Sequence, residues 1–165
     1  TAWGLHGALH RLCPHARCAM HVHSPYATAL ACLEDPVLPP LDQNACIFYG
    51  RQAVDSEYGG LAIEDEGARC AGLLSDPRKF VLIMGNHGIM VIGETVAQTF
   101  HRLYFFERAA QTYLLALQTG RPLRILSDEV AARAEHESIT EEGSGEEFLR
   151  ELKAILDEEG SGYAA

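Results

Sequence analysis

Short apolar runs with a period near two alternate along this chain with longer stretches of period near 3.6, the two rhythms of strands and helices. Leu5, Leu9 and Leu12 stand at helical spacing and predict a helix over 3–12, ended by Cys13-Pro14. A strand is predicted over 18–23. Ser24-Pro25 then opens a helix to about 32, with Ser24 as N-cap and Pro25 at the first helical position. Pro39-Pro40 mark a loop, 41–50 reads as a short helix, 52–55 as a brief strand, Gly59-Gly60 as a turn and 64–74 as a helix. Every residue from Phe80 to Met84 is apolar, the pattern of a strand buried on both faces. A turn at 85–88 and a second apolar strand at 89–92 follow. Thr95 with Gln98 forms a capping box for a helix reaching about Gln118, and Gly120 suits its C-terminal end. Ser127-Asp128-Glu129 opens another helix with negative charge in its first turn. The stretch 138–145 reads as a polar linker, and Phe148, Leu149, Leu152, Ile155 and Leu156 form the apolar side of a last helix at about 147–156. Helices and strands in alternation predict an α/β layered domain around a central sheet.

Composition narrows the function classes. The 165 residues are 47% apolar and 22% charged, enough for one domain with a core. No apolar run approaches the roughly 20 residues that span a bilayer, so no membrane partner is expected. The net charge of -10 is uneven: residues 127–165 carry twelve acidic and three basic side chains, and the preceding part is nearly balanced. Nothing resembles the basic footprint of a nucleic-acid binder. The domain is expected at 1–137, with 138–165 as an acidic linker and C-terminal helix. Five scattered cysteines without a Cys-x-x-Cys pair point to reduced thiols and a cytoplasmic location. Of these, Cys18 and Cys32 lie in apolar surroundings and read as small core residues.

Three histidines carry the candidate chemistry. His21 and His23 alternate within the predicted strand, so their side chains share one face and form a two-nitrogen claw. A third imidazole, His87 in Gly85-Asn86-His87-Gly88, would complete three neutral nitrogen ligands and leave a coordination position open. That is the pattern of a catalytic divalent-metal site. His6 and His10, four apart, read as a helix surface; His15 falls in a turn, His101 at a subunit contact and His136 in the acidic tail, and none is expected to join the metal.

The segment His21-Val22-His23-Ser24-Pro25-Tyr26-Ala27-Thr28-Ala29-Leu30 resembles the first metal motif of the class II aldolase/adducin head family. Asn86-His87-Gly88, followed by an apolar strand, Gly93 and a long helix with Phe100, Tyr104 and Glu107-Arg108-Ala109, resembles its second. Asp42-Gln43-Asn44 and Tyr58-Gly59-Gly60 make adducin-like bacterial members the most similar. The likeness runs from Trp3 to about Glu129 and is weaker beyond. It implies a three-layer α/β/α sandwich with a central mixed, largely antiparallel sheet, usually as a homotetramer. It implies a zinc-type ion (or manganese or a similar metal) held by His21, His23 and His87. L-fuculose-1-phosphate aldolase and L-ribulose-5-phosphate 4-epimerase are members. The activity implied is a lyase making or breaking a C–C bond in a small ketose, keto acid, sugar acid or sugar phosphate through a metal-stabilised enediolate. The alternatives are an epimerase, or a non-catalytic assembly module like the adducin head.

Two departures from the family pattern matter. The family's acid/base carboxylate lies just before the first helix, where this chain has Ala2. The N-terminal third, with a Gly-Asn turn for a substrate phosphate, has no counterpart here. Aldol cleavage needs a proton carrier, and Asp42 and Gln43 are the catalytic candidates. Tyr26, Asp55, Glu57 and Tyr58 read as packing or loop residues.

Overall fold

The computed structural model describes residues 2–58, 60, 63–141 and 145–164. The expected Gly59-Gly60 turn therefore lies partly outside the described residues, as does part of the 138–145 segment. In chain order the elements are α1 (Ala2–Leu12), β1 (Cys18–Val22), α2 (Pro25–Ala31), α3 (Gln43–Cys46), β2 (Gln52–Asp55), α4 (Ile63–Leu73), β3 (Val81–Met84), β4 (Gly88–Gly93), α5 (Val96–Gln118), α6 (Asp128–Glu141) and α7 (Gly145–Glu158).

The four strands form one sheet in the order β1-β4-β3-β2. Two of its pairings, β1 with β4 and β3 with β4, are antiparallel, and β2 with β3 is parallel. The sheet is thus mixed and largely antiparallel. Parallel pairing requires a crossover, which α4 supplies between β2 and β3. All residues of β3 and β4 are buried, so helices cover both faces. On one side α2 and α5 pack together and against β4; on the other α4 packs on α1 and β2. Phe48, Phe80 and Phe106 meet edge-to-face in the core, with ring centroids 5.0 and 6.0 Å from Phe48.

Local signals explain most element ends. The Thr95 hydroxyl accepts from Gln98 N–H at 3.1 Å, and Gln98 Oε1 accepts from Glu94 N–H at 2.8 Å, a capping box reaching one residue further back than expected. Gly120 has φ +65°, the left-handed conformation that ends a helix.

Two expectations are corrected. Residues 138–141, predicted as part of a polar linker, belong to α6, with Ser138 Oγ donating back to the Ala134 carbonyl at 2.7 Å, and Gly145 already opens α7. A polar surface on a helix packed through one face looks like a linker in sequence. Cys32 is exposed and Cys18 only half-buried. The reason at Cys32 is that α2 ends at buried Ala31, leaving the next side chain in solvent. The acidic C-terminal part is not detached. Arg51 pairs with Glu135 of α6, and Phe148 of α7 packs among Phe100, His101, Tyr104 and Phe105 of α5 at centroid distances of 5.0 to 6.2 Å. His101 thus lies against the chain's own last helix.

Candidate metal centre

Strand register brings the histidines together. Val22 pairs with Ile89 and His21 with Met90, so one step further His23 stands beside Gly88, the residue after His87. Alternation puts His21 and His23 on one face. Gly88 is required there: a Cβ would lie 2.5 Å from the Val22 carbonyl oxygen and 2.8 Å from the His23 ring. The β3–β4 turn delivers the third ring. His87 N–H donates to the Met84 carbonyl at 3.0 Å, and Asn86 has φ +57°, a type II pattern that tolerates asparagine in the left-handed region. Two more backbone bonds hold the turn, Gly85 N–H to Asp55 O at 2.7 Å and Asn86 N–H to Ala31 O at 3.0 Å.

The three rings form a nearly equilateral triangle, with centroids 4.9, 4.8 and 4.8 Å apart and planes 65–79° from one another. One ligand nitrogen from each lies within 4.8 Å of the others. His21 Nδ1–H donates to the Ile89 carbonyl at 3.0 Å, which leaves the Nε2 lone pair bare. That Nε2 is 3.0 Å from His23 Nε2. Tetrahedral zinc with Zn–N bonds of about 2.0–2.1 Å sets its donors roughly 3.3 Å apart, so small ring rotations suffice. Burial above all pushes His21 down to about 4; charge on His87, His23 and His6 adds to this, and the bond to Ile89 opposes it. His21 is therefore neutral and ready to ligate at ordinary pH. His87 Nδ1 is buried without a hydrogen-bond partner. The donor set fits a divalent cation that prefers imidazole nitrogen.

A carboxylate distant in sequence, on the neighbouring helix α5, anchors the segment after the claw. Ser24 is the N-cap of α2, but its side chain does not cap. Its hydroxyl instead donates to Glu107 Oε2 at 2.7 Å, and Glu107 takes the helix N–H groups, Tyr26 N at 2.9 Å and Ala27 N at 2.8 Å. The self-capping read from Ser24 is corrected on this point: a negative charge from α5 satisfies the helix terminus better than a hydroxyl.

The other candidates have the following local surroundings. Asp42 is the N-cap of α3, its Oδ1 accepting from Ala45 N–H at 2.7 Å, and Gln43 is the first residue of that helix. Tyr26 packs partly buried against the core. The buried carboxylate of Asp55 is held by Arg69. The half-exposed Tyr58 has its ring 5.6 Å from that of His87, at the edge of the site. His10 Nδ1 bonds the Ala16 carbonyl at 2.7 Å and His15 Nε2 the Leu74 carbonyl at 2.9 Å. The sequence reading missed Glu66, whose Oε1 lies 3.6 Å from His87 Nδ1. In sequence it belongs to the acidic run Glu64-Asp65-Glu66, which looks like a solvated helix face.

A family described as the class II aldolase and adducin N-terminal domain matches residues 1–114. The chain is 34% identical over 116 residues to the meiotically up-regulated gene 14 protein of Schizosaccharomyces pombe, covering 70% of this chain and 44% of that one. It is 30% identical over 126 residues to the decarboxylase NovR of Streptomyces niveus, covering 76% and 46%. An aldolase II superfamily protein from Pseudomonas syringae superposes with a TM-score of 0.88 at 26% identity, covering 99% of this chain and 65% of that one. The chain thus spans less than half the length of these two curated relatives. No helix among the described residues is long and apolar enough to cross a membrane.

Proposed function

Since the chain belongs to the class II aldolase and adducin family, we propose that it is a metal-dependent lyase that makes or breaks a C–C bond in a small ketose, keto acid, sugar acid or sugar phosphate. The observation that carries this reading is the convergence of His21, His23 and His87, with the His21 tautomer already set by the Ile89 carbonyl. An all-imidazole donor set favours zinc over the more oxygen-seeking manganese. A divalent ion in this place supplies Lewis acidity, polarising a carbonyl and favouring negative charge on its oxygen. Within this reading the chain's own groups do the rest. The three imidazoles hold the ion from one side and leave the other open. The Tyr58 ring beside His87 forms part of the wall a substrate meets. Asp42, whose carboxylate caps its own helix, is the proposed proton carrier, and Gln43 beside it is proposed to hydrogen-bond the substrate through its amide. Free thiols at all five cysteines suit a cytoplasmic enzyme, and the family resemblance adds a homotetramer.

The test is metal analysis followed by a substrate screen. The purified chain is expected to hold about one zinc per protomer. With zinc present, keto acids and ketose phosphates in deuterated water are expected to exchange the hydrogen next to their carbonyl. Zinc loading without exchange or cleavage of any of them overturns the lyase. Failure to take up any divalent metal leaves the assembly module as the reading.

A further inference from the structure

His21 and His87 differ at one atom. His21 has its Nδ1 on a carbonyl oxygen, whereas His87 Nδ1 is shielded from solvent and lacks a hydrogen-bond partner. A buried polar nitrogen left this way costs its desolvation. Facing it is the Glu66 carboxylate, with Oε1 at 3.6 Å and both side chains about four-fifths covered. That separation is too long for a hydrogen bond, and a shift of well under one ångström closes it. The backbone next to Glu66 is closely packed. A Cβ on the next residue, Gly67, would lie 2.3 Å from the Gly4 carbonyl oxygen and 2.8 Å from Ala8 Cβ. Helices α1 and α4 therefore touch almost backbone to backbone, one residue from the carboxylate.

We propose that Glu66 is the positioning residue of His87. Its carboxylate accepts a hydrogen bond from Nδ1–H and locks the ring in the tautomer whose bare Nε2 turns toward His21 and His23. A carboxylate behind a ligating imidazole fixes ring orientation and raises ligand basicity. The inference rests on the reading that the triad holds a divalent ion.

The experiment compares zinc affinity in the unsubstituted chain, Glu66→Ala and Glu66→Gln, by competition with a chelating dye. Imidazole nitrogen NMR on the zinc-loaded protein accompanies it. Glu66→Ala is expected to weaken zinc binding by about 10–100-fold. Glu66→Gln, which keeps an acceptor, is expected to recover most of that loss. The NMR spectrum is expected to show His87 protonated at Nδ1 in the unsubstituted chain. Affinity within twofold in Glu66→Ala overturns the proposal, as does a His87 ligated through Nδ1. A cobalt(II) spectrum that loses an oxygen ligand in Glu66→Ala also overturns it, since Glu66 is then a ligand itself. Failure of the lyase reading looks different: full zinc loading with no substrate exchange leaves the Glu66 assignment standing. No zinc uptake by the unsubstituted chain overturns both.

Discussion

Two polar clusters flank the same turn and are built in opposite ways. At the end of β2 the Asp55 carboxylate receives Arg69 through Nε at 3.0 Å and Nη2 at 3.0 Å, and Glu57 N–H at 3.1 Å. The Cys70 thiol beside it is pushed up to about 12, by burial first and then by Asp55, and is inert as a nucleophile. Every strong group there has a partner. Across the turn, tied to Asp55 by the Gly85 N–H, His21 and His23 bond only each other through their Nε2 atoms, and His87 Nδ1 is buried without a partner. Completed networks fix a fold, whereas a cluster of converging nitrogens with an unsatisfied member leaves hydrogen-bonding capacity unspent. The difference separates scaffold from site without reference to any relative.

Substitutions at the two clusters are therefore expected to read out in different measurements. The largest effect is on binding. His23→Ala removes half of the claw and is expected to abolish stoichiometric zinc while leaving the urea midpoint nearly unchanged, because this ring is solvent-exposed. Unaltered metal content in that variant refutes the site. Next is the scaffold. Asp55→Ala strands Arg69 and is expected to cost about 2–3 kcal/mol in urea unfolding, less than the roughly 3–5 of a fully buried pair because Arg69 keeps access to water. Its zinc stoichiometry is expected to persist; joint loss of stability and metal would merge the two clusters into one. The smallest effect is with pH. Unfolded His21 protonates near 6.5, and in the fold burial holds it at about 4. Across that window the unfolded chain binds a proton that the folded chain refuses. Stability of the metal-free protein is thus expected to fall as pH drops from 6.5 toward 4 and to level off above. Urea titrations at pH 7, 6 and 5 check this, and His21→Asn is expected to flatten the slope.

The sequence made legible whatever rests on local rules. Alternation set His21 and His23 on one face, an unbroken apolar run marked β3, and Thr95 with Gln98 announced α5. The apolar stripe of the last helix was legible too, although what it packs against was not. What escaped depends on chain segments meeting. Glu107 caps a helix 80 residues earlier, and no spacing rule connects it with Tyr26 and Ala27. The bond from Asp42 to the N–H three residues on, the ordinary duty of aspartate at a helix start, was not read from the sequence either. Glu66 hid because an acidic run on a helix looks solvated until the crossing at Gly67 turns one member inward.

That crossing gives α4 a built-in spacer. With only hydrogen on Gly67, α4 lies flush on Gly4. Adding a single methyl acts as a wedge, forcing the pair of rods apart and carrying the neighbouring acid away from the ring it faces. On the proposed reading of the triad and Glu66, Gly67→Ala is thus expected to loosen zinc binding from a residue that touches neither the metal nor its proposed ligands.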